Sequence, residues 1–171
     1  MKPLTTGLLL LFFGLNSTSC KQDPGHEALF ELLPSNQTGV HFTNSVENSA
    51  DFNILLYRNF YNGGGVAIGD INNDGLADLY FTSNQGKNKL YLNQGNMTFS
   101  DITESAGVGG EKAWSTGVVL VDINHDGWLD IYVCNAGYVK GDDQENELFI
   151  NNQNLTFTEA AADYGLNENG Y

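Results

Sequence analysis

Two short acidic stretches hold the residues best suited to chemistry. In "GDINNDGLADLY" (Gly69–Tyr80), oxygen-bearing side chains fall at Asp70, Asn72, Asp74 and Asp78, loop positions 1, 3, 5 and 9. In "VDINHDGWLDIY" (Val121–Tyr132) the same positions are Asp122, Asn124, Asp126 and Asp130, at an offset of 122 − 70 = 52. Alternate residues of a tight loop turn inward, so one ion can collect positions 1, 3 and 5. Gly75 and Gly127 stand at position 6, where the sharp turn disfavours a Cβ. The carbonyls of Leu76 and Trp128, at position 7, then face the ion, and the aspartate at position 9 closes the site. Every donor is a hard oxygen. That suits Ca²⁺, with two sites expected, better than Mg²⁺, which demands stricter octahedral geometry.

An EF-hand has a Glu at position 12 and helices on both sides. Position 12 here is Phe81 in one loop and Val133 in the other, and both flanks read as apolar strands. The competing reading is a pair of metal-free turns rich in Asx residues. Three unpaired carboxylates within one loop repel each other, however, and the set occurs twice, which favours a cation.

The elements that must position these loops follow from the repeat. "GVAIGDINNDGLADLYFTSN" (Gly65–Asn84) aligns with "GVVLVDINHDGWLDIYVCNA" (Gly117–Ala136). "KLYLNQGNMTFSDITESAGV" (Lys89–Val108) aligns with "ELFINNQNLTFTEAAADYGL" (Glu147–Leu166) at an offset of 147 − 89 = 58. The added residues fall in the polar loop Gly137–Asn146. Each copy reads as four short strands: Gly65–Ile71, Leu79–Ser83, Lys89–Asn93 and Met97–Thr103 in the first. "NQGN" (Asn93–Asn96) supplies hairpin chemistry. "TEAAADYG" (Thr158–Gly165) reads as a strand end followed by a turn.

Four antiparallel strands per unit is a propeller-blade pattern. The fold class is therefore all-β, a partial β-propeller of about two to three blades. Phe42 fits the same period, since 99 − 42 = 57 and 157 − 99 = 58, and is expected on an outer strand of a partial third copy. A third aspartate loop is expected near 180 to 185, beyond Tyr171, so the chain reads as the N-terminal part of a longer protein. A short protein that closes by oligomerisation is the alternative.

"DINNDGLAD" and "DINHDGWLD" resemble the Ca²⁺ loops of FG-GAP/VCBS repeats, the blades of integrin-α-type propellers. All eight side-chain positions match the family pattern Asp-x-Asp/Asn-x-Asp-Gly-x-x-Asp. The stretch from Asn59 to Val108 resembles the opening of bacterial surface lipoproteins with such repeats, whose C-terminal part often carries an ASPIC/UnbV-type domain absent here. The resemblance covers roughly Thr38 to Tyr171. It implies fold and metal, and says little of the biological role.

Residues 1–20 read as a lipoprotein signal peptide: Lys2, the apolar run "GLLLLFFGL" (Gly7–Leu15), then Cys20 after small polar residues. Ser17 departs from the Leu usual three positions before a lipidated cysteine. Lipidation at Cys20 would place the protein on the bacterial outer membrane or cell surface, held only by that anchor. Residues 21–37 read as a linker and 38–171 as the blades. The other cysteine, Cys134, lies in a strand-like run and reads as a free, buried thiol.

With 21 acidic against seven basic residues and a formal charge of −14, nucleic acid is disfavoured as a partner and none is expected. "NGGG" (Asn62–Gly65) lacks the Lys and helix of a phosphate loop and reads as a tight entry to a strand. His125, between ligand positions, should face solvent, and Tyr57, Phe60, Tyr61 and Trp114 should pack between blades. The sequons at Asn36, Asn96 and Asn154 matter only in a eukaryotic secretory route. The expected function is non-catalytic binding of a protein or glycan. The alternative is the non-catalytic part of a larger surface enzyme or polysaccharide-processing protein.

Overall fold

A computed structural model describes residues 28–112, 114–136 and 144–169. The signal peptide, Cys20, and most of the Gly137–Asn146 loop lie outside the described residues. From Leu33 onward the chain forms one compact unit.

Two four-stranded antiparallel sheets follow one another along the chain. The first joins β1 (Val66–Gly69), β2 (Asp78–Phe81), β3 (Lys89–Asn93) and β4 (Phe99–Asp101) in that order. The second joins β5 (Ser115–Val121), β6 (Asp130–Asn135), β7 (Glu147–Asn151) and β8 (Phe157–Glu159). Each is the up-and-down sheet the repeat predicts. Both β2 and β6 start at the ninth position of an aspartate loop, with Gly69 paired to Asp78 and Val121 to Asp130.

Strand alternation gives each sheet two faces. Ala67, Tyr80 and Leu90 of the first sheet share a core with Ile131, Val133 and Phe149 of the second, with Val118 and Leu120 packed against it. Gly69 permits this approach, because a Cβ there would lie 2.8 Å from the Leu120 side chain. The opposite face of β1 presents Val66 and Ile68, 55% and 66% exposed. Their counterparts in the second unit are Val118 and Leu120, which are partly buried against the first sheet. Burial at this position therefore depends on whether another sheet lies over it.

The segment expected to hold a third outer strand has no strand. Ser35–Thr38 (α1) is a single helical turn, and residues 39–50 are irregular. A strand needs a hydrogen-bonded neighbour, and β1 to β4 already complete their sheet. Phe42 nevertheless packs usefully, stacking on Phe81 at 4.9 Å. The backbone N–H of His41 donates to the Tyr91 hydroxyl at 3.3 Å. In the first unit β4 also runs into a helical turn, Thr103–Ala106 (α2), ended by Gly107 at φ 73°. The matching stretch after β8 forms turns only, as expected.

Phe60, before β1, and Trp114, before β5, are buried with Phe52, and Tyr57 packs against them, as the sequence suggests. Tyr61 differs: it is 59% exposed. The triple glycine is a tight strand entry, since a Cβ on Gly65 would meet the Thr116 carbonyl oxygen at 2.7 Å. Cys134 is a free thiol that is half-buried, less enclosed than expected, and burial pushes its pKa up.

Candidate metal centre

Each aspartate loop is wound by its own side chains. Asp70 accepts from the backbone N–H of Asp74 at 3.1 Å and of Gly75 at 2.7 Å. Asn72 accepts from the N–H of Asp74 at 3.3 Å, and its amide donates to Asp74 Oδ2 at 2.9 Å. Asp74 Oδ1 accepts from the Leu76 N–H at 2.8 Å. These bonds hold positions 1, 3 and 5 on the inside of one turn. The turn needs positive φ at Asn73 (59°) and Gly75 (86°).

The second loop repeats every bond. Asp122 accepts from Asp126 and Gly127 at 3.0 and 2.9 Å, and Asn124 accepts from Asp126 at 3.0 Å. The Asn124 amide donates to Asp126 Oδ2 at 3.0 Å, and the Trp128 N–H donates to Asp126 Oδ1 at 2.9 Å. His125 and Gly127 take φ of 60° and 88°. His125 is exposed, as expected for a residue between inward positions.

The ninth-position aspartates differ from the rest because they are fully buried. Asp78 accepts from the N–H of Ile71 at 2.9 Å and of Asn93 at 2.8 Å. Asp130 accepts from Ile123 at 3.1 Å and from Asn151 at 2.8 Å. Burial raises the pKa of both above the usual carboxylate range; the backbone donors oppose this, and the other two loop carboxylates add to it. Asp126 is held below that range, first by the Trp128 N–H.

Among the described residues, no three His, Cys, Asp or Glu side chains converge as a metal-holding group. The donor set of each loop is oxygen only: three carboxylates, one amide and the main chain. In chemistry and in order along the chain, the residues fit Ca²⁺.

Sequence reading missed the residues that join the loops. The Asn151 side-chain amide donates to the Leu129 carbonyl of its own loop at 3.1 Å, and to the Ile71 carbonyl of the other loop at 2.8 Å. The Asn73 amide donates to the Gly127 carbonyl at 3.1 Å. Among the described residues the side-chain amide of Asn93, the counterpart of Asn151, reaches Ala77 of its own loop, at 2.8 Å. The available signal was that β3 and β7 both end in Asn.

Comparison with known proteins places both loops within a known type of repeat. The family model described as FG-GAP-like repeat matches residues 70–133, from the first residue of one loop to the strand after the other. Cartilage acidic protein 1 of Xenopus tropicalis is 35% identical over 112 residues, 65% of this chain and 17% of that protein. The Mus musculus protein of the same name is 34% identical over 116 residues, 66% of this chain and 17% of its own length. The Homo sapiens protein is 40% identical over 76 residues, 44% of this chain and 12% of its own length. The chain thus spans under a fifth of the length of the curated relatives it matches. No helix among the described residues is long and apolar enough to cross a membrane.

Proposed function

We propose that this chain is a Ca²⁺-clasped repeat module of an exported protein, lipid-anchored at Cys20, that binds a protein or glycan at the bacterial cell surface. The observation that carries the metal reading is the duplicated loop. Two segments 52 residues apart (122 − 70 = 52) repeat the same donors and hydrogen bonds, within the span that matches an FG-GAP-like repeat. Such a repeat supports an interaction or scaffold module.

One Ca²⁺ would sit in each loop. The first would be held by Asp70, Asn72, Asp74, the Leu76 carbonyl and Asp78, the second by Asp122, Asn124, Asp126, the Trp128 carbonyl and Asp130. The ion would supply positive charge that offsets repulsion among three carboxylates. The chain supplies the rest. Gly75 and Gly127 allow the turn, and Asn93 and Asn151 hold the ninth carboxylates through backbone N–H groups. The β1–β2 and β5–β6 hairpins carry this order into the sheets.

The open faces support a larger ring. The second sheet already lies on the first through Val118 and Leu120, while Val66 and Ile68 lack that cover. Further blades of the same kind would cover such faces and close a propeller. Melting the protein in Ca²⁺ and in excess EDTA tests the metal reading. A higher melting temperature in Ca²⁺ supports it, and identical melts overturn it.

A further inference from the structure

The two ninth-position carboxylates are joined by a continuous hydrogen-bond path. Asp78 accepts from the Ile71 N–H at 2.9 Å. The carbonyl of that same Ile71 accepts from the Asn151 side-chain amide at 2.8 Å. The backbone N–H of Asn151 donates to Asp130 at 2.8 Å. Asp78, Ile71, Asn151 and Asp130 are all buried, so water does not compete for these bonds. A second bridge links the loop tips, from the Asn73 amide to the Gly127 carbonyl at 3.1 Å.

We infer that Asn151 is a positioning residue that couples the two loops, so that a cation held in one raises the affinity of the other. This rests on the reading that both loops hold Ca²⁺. Ordering loop 1 around an ion fixes Ile71, and with it the Asn151 amide and the N–H that holds Asp130. The second ion then meets a loop whose ordering is already in place, which gives positive cooperativity without a change of fold. Two like charges repel, so Coulomb interaction between the ions acts the other way. Cooperative filling would therefore report the shared backbone.

Terbium, a calcium substitute that emits when a nearby indole is excited, gives a site-specific signal. Trp128 stands at the seventh position of loop 2, where loop 1 has Leu76, and Trp114 is buried in the aromatic cluster. Terbium luminescence excited through tryptophan, with total binding from calorimetry, is followed on the full chain and two variants. Asn151→Ala removes the amide bridge, and Asn73→Gly removes the tip contact while keeping a residue at ease with positive φ. The expected result is two ions per chain with a Hill coefficient above one for the parent and lower for both variants. Two ions filling independently in the parent overturn the coupling and leave the calcium reading intact. Unchanged cooperativity in Asn73→Gly and Asn151→Ala overturns the assigned route. No binding by the parent overturns both readings. If Asn151→Ala fails to fold, Asn151→Ser, which keeps the backbone N–H to Asp130 and a polar side chain but loses the amide donor to Ile71, takes its place in the same comparison.

Discussion

Tyr80 and Tyr132 hold the same place in the two units, and each donates its hydroxyl to a main-chain oxygen, Tyr80 to Val108 at 2.6 Å and Tyr132 to Leu166 at 3.2 Å. Their burial differs. Tyr80 is fully enclosed beneath the second sheet, whereas Tyr132 is half-buried. Tyr80→Phe leaves the Val108 carbonyl without its partner inside the core, and should cost about 1–3 kcal/mol. Tyr132→Phe should cost less, because water can reach the vacated position. Urea unfolding of both variants checks this order, and equal losses would contradict it.

The two Asn counterparts offer a second asymmetry. Asn151 satisfies the Ile71 and Leu129 carbonyls from within the core, and among the described residues the Asn93 amide satisfies that of Ala77 at an exposed site. With about 1–3 kcal/mol for each buried acceptor left unpaired, Asn151→Ala should be clearly more destabilising than Asn93→Ala. Thermal melts in matched buffer decide the ranking, and a larger loss at Asn93 would refute it.

Glycines should separate into two kinds. A Cβ on Gly75 or Gly127 meets nothing within 4 Å, but φ is +86° and +88°. Their replacement by Ala should carry only the left-handed backbone penalty, about 1–2 kcal/mol. Gly64→Ala should be worse, because its Cβ would be driven into the Thr82 carbonyl. Calorimetric melting of the three variants tests this, and Gly64→Ala as the mildest would be the contrary outcome.

Lys89 and Asp101 pair at 2.8 Å across β3 and β4. Burial acts to raise the Asp101 pKa, and hydrogen bonds from Lys89 and Thr103 overcome it, so the group lies below its usual range. Its contribution is present above the unfolded carboxylate value and disappears as pH falls through the folded one. The bond to Asp101 raises Lys89 against the opposing effect of burial. That contribution is whole below the unfolded lysine value and disappears as pH rises through the folded one. About a third of each side chain remains exposed (32% and 37%), so the pair is worth under about 1 kcal/mol. Asp101→Asn should flatten the acid limb of stability against pH slightly. Denaturation midpoints measured across acid pH test this, and a steeper limb would count against the pairing.

Much of this was legible in the sequence, and the reasons are local. The position of β3 follows from an apolar run between polar neighbours, and the loops follow from Asp, Asn and Gly spacing, because each is wound by its own side chains. What escaped was set by distant partners. Phe42 matches the repeat period, yet makes no strand because no partner strand is left for it. The link from Asn151 to Ile71 spans 80 residues, and no single-segment pattern encodes it. The burial of Asp78 and Asp130 likewise depends on backbone donors from β3 and β7.

Each loop is proposed to hold one calcium ion. Counting bound Ca²⁺ per chain by equilibrium dialysis tests it most directly, with Asp74→Asn and Asp126→Asn variants disabling one loop each. Two ions are expected for the parent and weakened binding at one site in each variant. A parent chain that binds none, or two variants that bind as the parent does, would contradict it.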